Sequence, residues 1–593
     1  LRIAVLVKQI PKFEEMELGP DGRLQRDGIE LEMNPYCRRA VSKGVELASE
    51  RPDSRVTVIS LGPPTADDTL REAIAWGVAR HVDIGGVLVT DPAFAGSDTL
   101  ATARALAAVL ARVGPFDLVL AGRNSVDADT GQVGPEVAEL LDLPFLTGVR
   151  ELAIDGDGRG AVVRARCEHD DGWLEAELAL PAVLSCAERL CEPAKVDPPG
   201  RAAVAAELIS VLTAGDVGPG PWGQEASPTW VGPVKIMGVA RARLTWPDAP
   251  IAEQVRKAVG VLVERGALTE EPLAVGDAVP HARADAPTVT VVVEPDRAHM
   301  TRELLGVAAQ LTGRVDAITI EPPDASLLAA WGADRVVHLD GANVEEDVAR
   351  AVAQLAAQSP PWAILTGSTA WGREIAARVA ARLGAGLTGD AVELERDGER
   401  LTAWKPAFGG QLVAAIGCSS PVQLATVRPG MLPHLEPRHP TETVPLTTVR
   451  LDTRGRVRVR SRTRDDDLDD LAEARVVVGI GRGVVPSDYE LLRPLAGFLG
   501  AEIGATRKVT DEGWLPRARQ IGITGRSIAP RLYVSIGASG KFNHMVGVRA
   551  AGTVLTINPD PTAPVFDASD VAIVGDWKEA VPLLLSELEA ACM

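Results

Sequence analysis

The chain has 593 residues, 46% apolar and only 4% aromatic, enough for about three or four cores of ~150 residues packed with small side chains. A formal charge of −20 excludes nucleic acid as a general partner, because an acidic surface repels phosphate. Six cysteines without a CxxC exclude a disulfide framework and a built-in iron–sulfur cluster, and no run of about 18 apolar residues is there to cross a membrane.

The sequence opens on a strand-like run from Arg2 to Val7 with no charged leader ahead of it, which sets the expectation of a cytoplasmic protein. From there β and α alternate. Strands are predicted at 3–7, 56–61, 87–90 and 118–121, with helices at 38–49, 67–76 and 98–113. Such alternation with short connectors implies a parallel sheet covered on both faces, with ligands at the C-terminal ends of its strands. The stretch Asp129-Thr130-Gly131-Gln132-Val133-Gly134 offers hydroxyl and backbone donors to a phosphate at a predicted helix start.

Residues 266–287 mix acidic residues, Ala, Pro and Gly with weak periodicity and read as a linker. The unit 288–452 then repeats the first plan, with strands predicted at 289–293, 317–320 and 362–366. Ala75-Trp76-Gly77-Val78-Ala79-Arg80 is echoed by Ala330-Trp331-Gly332-Ala333-Asp334-Arg335. Leu118 to Gly122 is echoed by Ala363 to Gly367, and Leu146-Thr147-Gly148 by Leu387-Thr388-Gly389. The echoes keep one order at offsets of about 240–255 residues, as a duplication would. A charged joint, 453–470, carries Asp465-Asp466-Asp467 and is expected to be a solvated connector.

The unit 471–593 begins with the apolar run Val476 to Ile480, the turn Gly481-Arg482-Gly483 and a helix predicted from about 488 to 499. A strand, a glycine turn and a helix present backbone N–H groups and a helix dipole to an anion. A second apolar run, 532–536, feeds Gly537-Ala538-Ser539-Gly540, after which Lys541-Phe542-Asn543-His544 begins another helix. Thr506-Arg507 and Gln520-Ile521-Gly522-Ile523-Thr524-Gly525-Arg526 lie between these turns. Asn558-Pro559-Asp560 and Asp576 follow two further strands at the mouth of the sheet. Together they describe a wall around one large anionic, aromatic cofactor, with Arg507 placed to favour a reduced, anionic redox ring.

These residues carry a resemblance. The chain resembles an electron transfer flavoprotein whose β and α subunits are fused in that order, with 1–265 β-like and 288–593 α-like. The most specific stretches are Val5-Leu6-Val7-Lys8 with Asn34-Pro35, the run from Ala121 to Gly134, Ala425-Thr426-Val427-Arg428-Pro429-Gly430, and the last unit. The implied fold is α/β: two similar parallel-sheet, nucleotide-binding-like domains plus a C-terminal Rossmann-like FAD-binding domain, 471–593.

The resemblance implies FAD in that last domain. Arg507 would lie against the isoalloxazine, Thr524 near its N5 and His544 near its O2. Thr506 and Ser539 would hold the pyrophosphate, and Asn558 and Asp576 the adenosine end. Arg482, Gln520, Gly525, Gly540, Asn543 and Asp560 would complete the wall. Thr506 stands for the family's usual Ser, Ile523 and Asn543 for Gln, and Arg526 for Lys. Ile523 offers the flavin no polar group, and this is expected to alter the flavin potential.

A second site is implied in the first unit, walled by Val7, Lys8, Asn34, Leu61, Gly62, Asp127, Asp129, Thr130, Gln132, Val133 and Gly134. The family places AMP there, or in electron-bifurcating members a second FAD, and both remain open. In the second unit Ser368-Thr369-Ala370-Trp371-Gly372 replaces the acidic loop, so that copy is expected to be scaffold. Residues 192–199 occupy the place of the family's partner-recognition loop, with Pro198 where an exposed Leu anchors dehydrogenases. This departure counts against an acyl-CoA dehydrogenase partner.

The implied function is an electron carrier between a flavin dehydrogenase and a membrane-associated iron–sulfur quinone oxidoreductase, with no acid–base catalyst and no metal. The alternative is an NADH-oxidising, electron-bifurcating enzyme with two FAD. The family's flavin domain swings between docking poses, which makes 266–287 and 453–470 candidate hinges. A homodimer of the fused chain is left open.

Overall fold

The computed structural model describes every residue except 13–29, 157, 159, 171, 237–240, 270–275, 282, 284, 408–411, 440–443, 465–470, 472–473, 523–524 and 593. Three parallel-dominated sheets organise the chain. In the first, ten-stranded sheet, Arg2–Val7 lies between Arg55–Leu61 and Leu118–Gly122, parallel to both. All three strands are almost wholly buried, as continuous Val, Ile, Leu and Ala runs must be when helices cover both faces. The chain leaves Arg2–Val7 towards one edge and returns to the other side at Leu118–Gly122. The strand order therefore reverses between these two, and the crevice at their C-terminal ends is the ligand position of such sheets.

The second sheet has seven strands and repeats the reversal, with Val289–Val292 between Val315–Thr319 and Ala363–Gly367. The sequence echo is thus a structural one: Leu118–Gly122 and Ala363–Gly367 are equivalent strands. The third sheet has five, with Val476–Ile480 between Glu502–Ala505 and Leu532–Ile536. The fold is the expected α/β class.

Packing departs from the sequence boundaries at several joints. Val457–Arg464, in the stretch expected to be a solvated connector, pairs antiparallel with Gly172–Ala179 at the edge of the first sheet. Its arginines are used: Arg460 donates to Glu177 at 2.5 Å and Arg462 to Glu345 at 2.8 Å. Conversely Thr229–Ile236, from the β-like half, pairs with Leu412–Cys418 in a four-stranded sheet of the second half. Within the expected linker, Gly276–Ala278 pairs with Leu435–Glu436.

The helix Ile251–Glu264 lies before the expected boundary at 265 but packs on the third core. Its apolar stripe, Val255, Ala258, Val259 and Leu262, is buried in the third core with Val571, Trp577 and Leu584. Ahead of it Arg241 donates to Asp570 at 2.8 Å, with the two side chains 6% and 2% exposed. An amphipathic helix must bury its stripe somewhere, and periodicity alone does not say against which sheet. The helix predicted at 488–499 is broken into a 3-10 turn, Pro486–Leu491, and Arg493–Leu499. Pro494 has no N–H to donate and suits the first turn of a new helix.

Candidate functional site

At the C-terminal edge of the third sheet two glycine turns meet. Gly481 donates its N–H to the Ile536 carbonyl, and Gly483 to that of Gly537. A Cβ on Gly481 would collide with the Gly537 carbonyl, and one on Gly540 with the Val565 backbone. Gly540 also has φ +72°, a left-handed conformation that costs a side-chain-bearing residue energy. Asn558 pins the second turn, donating through Nδ2 to the Ala538 carbonyl at 2.8 Å and accepting from the Asp560 N–H at 2.9 Å. Asp560 accepts from the Thr562 N–H, and Asp576 from the Lys578 N–H at the start of Trp577–Cys592.

Because every strand of this sheet is parallel, the sequence candidates Arg482, Thr506, Ser539, Gly540, Asn558, Asp560 and Asp576 come together on one edge. Thr506 stands at the N-cap of Arg507–Asp511 but does not use its side chain to cap it. Ser539 is exposed, as is Arg482. Backbone N–H groups at a sheet reversal, two uncommitted hydroxyls and nearby guanidinium groups are a donor set that fits a pyrophosphate. FAD therefore fits this edge.

Arg507 is half-exposed and bridges Asp511 at 3.1 Å and Glu188 of the first half at 3.2 Å. Burial works against its charge, but the two carboxylates outweigh it and hold the guanidinium above its ordinary pKa.

Two expected flavin contacts are turned inward. Gln520 is buried, and its Oε1 accepts from Thr510 Oγ1 at 2.7 Å. His544 is buried, with Nε2 2.6 Å from Tyr533 Oη and Nδ1 3.1 Å from the Ile521 carbonyl. Both ring nitrogens have protein partners. The buried Tyr533 hydroxyl needs a hydrogen-bond partner and finds it in the ring. Burial lowers His544 to about 4, so the ring is neutral. Gly525 closes the loop by donating to the Gly522 carbonyl at 3.0 Å. Thr524 lies outside the described residues, as does the side chain of Asn543.

The reversal of the first sheet gathers its own candidates. Lys8 Nζ donates to both Asp127 oxygens, at 2.9 and 2.7 Å. Burial raises the Asp127 pKa, but Lys8 and the Ser125 hydroxyl prevail and hold it below the usual carboxylate range. Asn34 is buried and donates to the Asn124 carbonyl at 2.8 Å, tying the helix Pro35–Ser49 to the loop. Asp129 accepts from Asn124 Nδ2 at 2.5 Å. Val7 ends one strand and Leu61 its neighbour, with Lys8 and Gly62 the next residues along the chain. Val133 and Gly134 open the helix Val133–Leu140. Gln132 faces elsewhere: it is buried, accepts from Thr99 Oγ1 at 2.7 Å and donates to the Leu387 carbonyl of the second half. A Cβ on Gly389 of that half would lie 3.6 Å from the Thr130 Cα.

Sequence reasoning missed a cavity of about 1010 Å³ where the three units meet. The first half contributes Arg123, Asn124 and Asp129, the second Arg297, Arg302, Arg373 and Arg428, and the third Arg517 and Arg526. Seven arginines face four carboxylates, in a chain whose overall charge is −20. Such a cleft concentrates anions. Burial alone would raise the Asp390 pKa, but Arg428 and Arg373 hold it far below the usual range. These arginines are scattered along the chain and converge only on folding; Arg123, Arg428 and Arg526 lie in runs the sequence had singled out, and the other four do not. Among the described residues no group of three or more His, Cys, Asp or Glu could hold a metal, and no helix is long and apolar enough to cross a membrane.

Known families match this layout. The electron transfer flavoprotein domain matches residues 21–211 and again 289–453, the two repeated units, and the electron transfer flavoprotein FAD-binding domain matches 470–549. Electron transfer flavoprotein subunit alpha of Thermoanaerobacterium thermosaccharolyticum is 34% identical over 317 residues, 48% of this chain and 92% of that protein. Protein FixB of Bradyrhizobium diazoefficiens is 35% identical over 328 residues, 51% of this chain and 88% of that protein. The putative electron transfer flavoprotein subunit YdiR of Escherichia coli is 32% identical over 311 residues, 50% of this chain and 98% of that protein. Each of these subunits thus accounts for about half of the chain. The chain belongs to the electron transfer flavoprotein family, with the family's domain present twice and its FAD-binding domain once.

Proposed function

We propose that this chain is a single-chain, cytoplasmic electron carrier that takes electrons from a flavin dehydrogenase and delivers them to a membrane-associated iron–sulfur quinone oxidoreductase through one FAD. The observation that carries the reading is the pair of glycine turns at the reversal of the third sheet, inside the stretch that matches the FAD-binding domain. Bound FAD supplies the redox chemistry, accepting and returning electrons. The protein holds and tunes it: Thr506, Ser539 and the turn N–H groups take the pyrophosphate, and Arg507 sets positive charge beside the ring. Asn558 and Asp576 shape the adenosine end by fixing the turn and the helix start they bond to. AMP at the reversal of the first sheet is part of this reading. The domains are 1–265, the linker 266–287, 288–452, the joint 453–470 and 471–593, with the arm around Ile251–Glu264 docked on the last.

One observation favours a second reading. The loop that carries Asn124 and Asp129 frames the first nucleotide site and is also a wall of the large cationic cavity. A nucleotide seated there has room to extend well beyond an AMP, which supports a second FAD. Cofactor release separates the two. One FAD and one AMP per chain support the carrier. Two FAD, with bleaching on adding NADH, support the bifurcating enzyme and sink the first reading.

A further inference from the structure

The second unit repeats the strand reversal of the first, yet the place beside it is already filled. Ala363–Gly367 runs into the helix Ala370–Leu383 through a turn so tight that a Cβ on Gly372 would collide with the Gly367 carbonyl. A strand, a close turn and a helix start at a reversal are where open α/β sheets take a phosphate. Thr369 caps this helix by accepting from the Gly372 N–H at 3.0 Å, and its hydroxyl donates to Glu294 at 2.6 Å. The cap leaves the Ala370 N–H, which donates to Asp170 Oδ2 at 2.5 Å.

Asp170 belongs to the other half, 200 residues earlier. It stands in the short turn between the paired strands Val162–Glu168 and Gly172–Ala179, so a hairpin of the first unit delivers the carboxylate. Guanidinium groups from both halves act on it. Arg123 Nη2 of the first half lies 3.8 Å away, and Arg297 and Arg373 of the second add their fields. Desolvation works against the charge, but Arg123, Arg373 and the Ala370 N–H outweigh it and hold the carboxyl below its usual range. A helix start and converging arginines around one oxyanion are the surroundings of a bound phosphate. Positive charge is left over: Arg428, 8% exposed and in the wall of the same cavity, has no hydrogen-bond partner for Nη1 among the described residues.

We propose that Asp170 is the built-in ligand of the second unit: its carboxylate occupies the oxyanion position at that unit's reversal, docks the first half there and closes the position to phosphate-bearing ligands. Removing it uncovers a site for a small oxyanion, of which inorganic phosphate is the simplest. The inference goes beyond the functional reading and stands whichever nucleotide fills the first unit.

The test is a phosphorus NMR titration of inorganic phosphate with the full chain in ~0.15 M chloride, which screens exposed charges. Broadening of the phosphate line reports bound anion, and binding elsewhere on the chain is common to wild type and variant. Asp170→Ala should show a saturable component, with a Kd on the order of 1 mM, that wild type lacks. Adding Ala370→Pro should abolish it, because proline suits the first helical turn but has no N–H to give. The backbone of Thr369, at φ −95° and ψ 170°, is one that a following proline tolerates. If Asp170→Ala does not fold, Asp170→Asn takes its place with the same expected outcome: it keeps the size, and its neutral oxygen competes poorly with a dianion for that N–H among arginines. A folded Asp170 variant that binds no more phosphate than wild type overturns the proposal. So does a new component that persists with Ala370→Pro, which would put the anion elsewhere in the cationic cavity.

Discussion

Gly540 shows at the residue scale what a short sequence pattern can convey. Its left-handed backbone and its contact with the Val565 backbone leave no place for a Cβ, and the glycine-rich run 537–540 advertises that locally. Gly540→Ala should lower FAD affinity at least ~10-fold, as strain and steric shift of about 1–3 kcal/mol displace the turn. Fluorescence titration of the apoprotein with FAD checks this. His544 was not legible in the same way. Its position after a phosphate-type turn suggested a ligand, but its orientation depends on Tyr533 and Ile521, which only folding brings to it. Its charge state makes a pH prediction. Above ~6.5 the imidazole is neutral folded and unfolded; between ~6.5 and about 4 only the unfolded chain takes up the proton. Stability should therefore fall as pH drops through that window, by up to about 3 kcal/mol from this residue. Denaturant melts of wild type against His544→Gln should converge towards pH 4; parallel curves would contradict it.

Elements were legible in type more than in partner. The helix Ile251–Glu264 has an apolar stripe in its sequence, yet the stripe packs on the third core and not on the half that precedes it. The Arg241–Asp570 pair fastens this arm, and Asp570 also accepts from the Val554 N–H at 2.9 Å. Asp570→Ala should cost about 3–5 kcal/mol, because it leaves a buried guanidinium unpaired. Val263→Thr, on the exposed face of the same helix, should stay within about 0.5 kcal/mol. Chemical denaturation reads both. In the helix Val133–Leu140, Glu136 is fully buried, and burial pushes its carboxyl well above the ordinary range, with Asp98 adding to the shift. The unfolded chain releases this proton near pH 4.5 while the folded chain retains it, so Glu136 erodes stability as pH rises from there through its folded pKa. Glu136→Gln should flatten that decline, measured as Tm from pH 5 to 9.

Across the whole molecule the duplication was legible, because equivalent strands keep equivalent apolar runs and glycine ends. The exchange between the halves was not. Thr229–Ile236 crosses to the second half, and Val457–Arg464 returns to the first sheet. Neither crossing has a local signature, since strand patterning says nothing of which edge is joined. Arg378, fully buried, adds a bridge to Glu374 of its own helix and Glu139 of the first half, both at 3.0 Å. Fusion raises the halves' effective concentration, but the interface is built to hold without it. A protease site inserted between Thr269 and Gly276 should therefore give two fragments that co-elute at the mass of the intact chain; separation on size exclusion would show that the covalent link does the holding.

The central claim is that FAD sits at the reversal of the third sheet. The most direct measurement is chromatography of acid-released cofactors, with the visible spectrum of the purified chain, for wild type and Gly540→Val. The account predicts a yellow protein that releases at least one FAD per chain, and a folded variant that has lost it. A colourless wild type that neither releases FAD nor takes it up on reconstitution, or a variant that keeps its full complement, would contradict it.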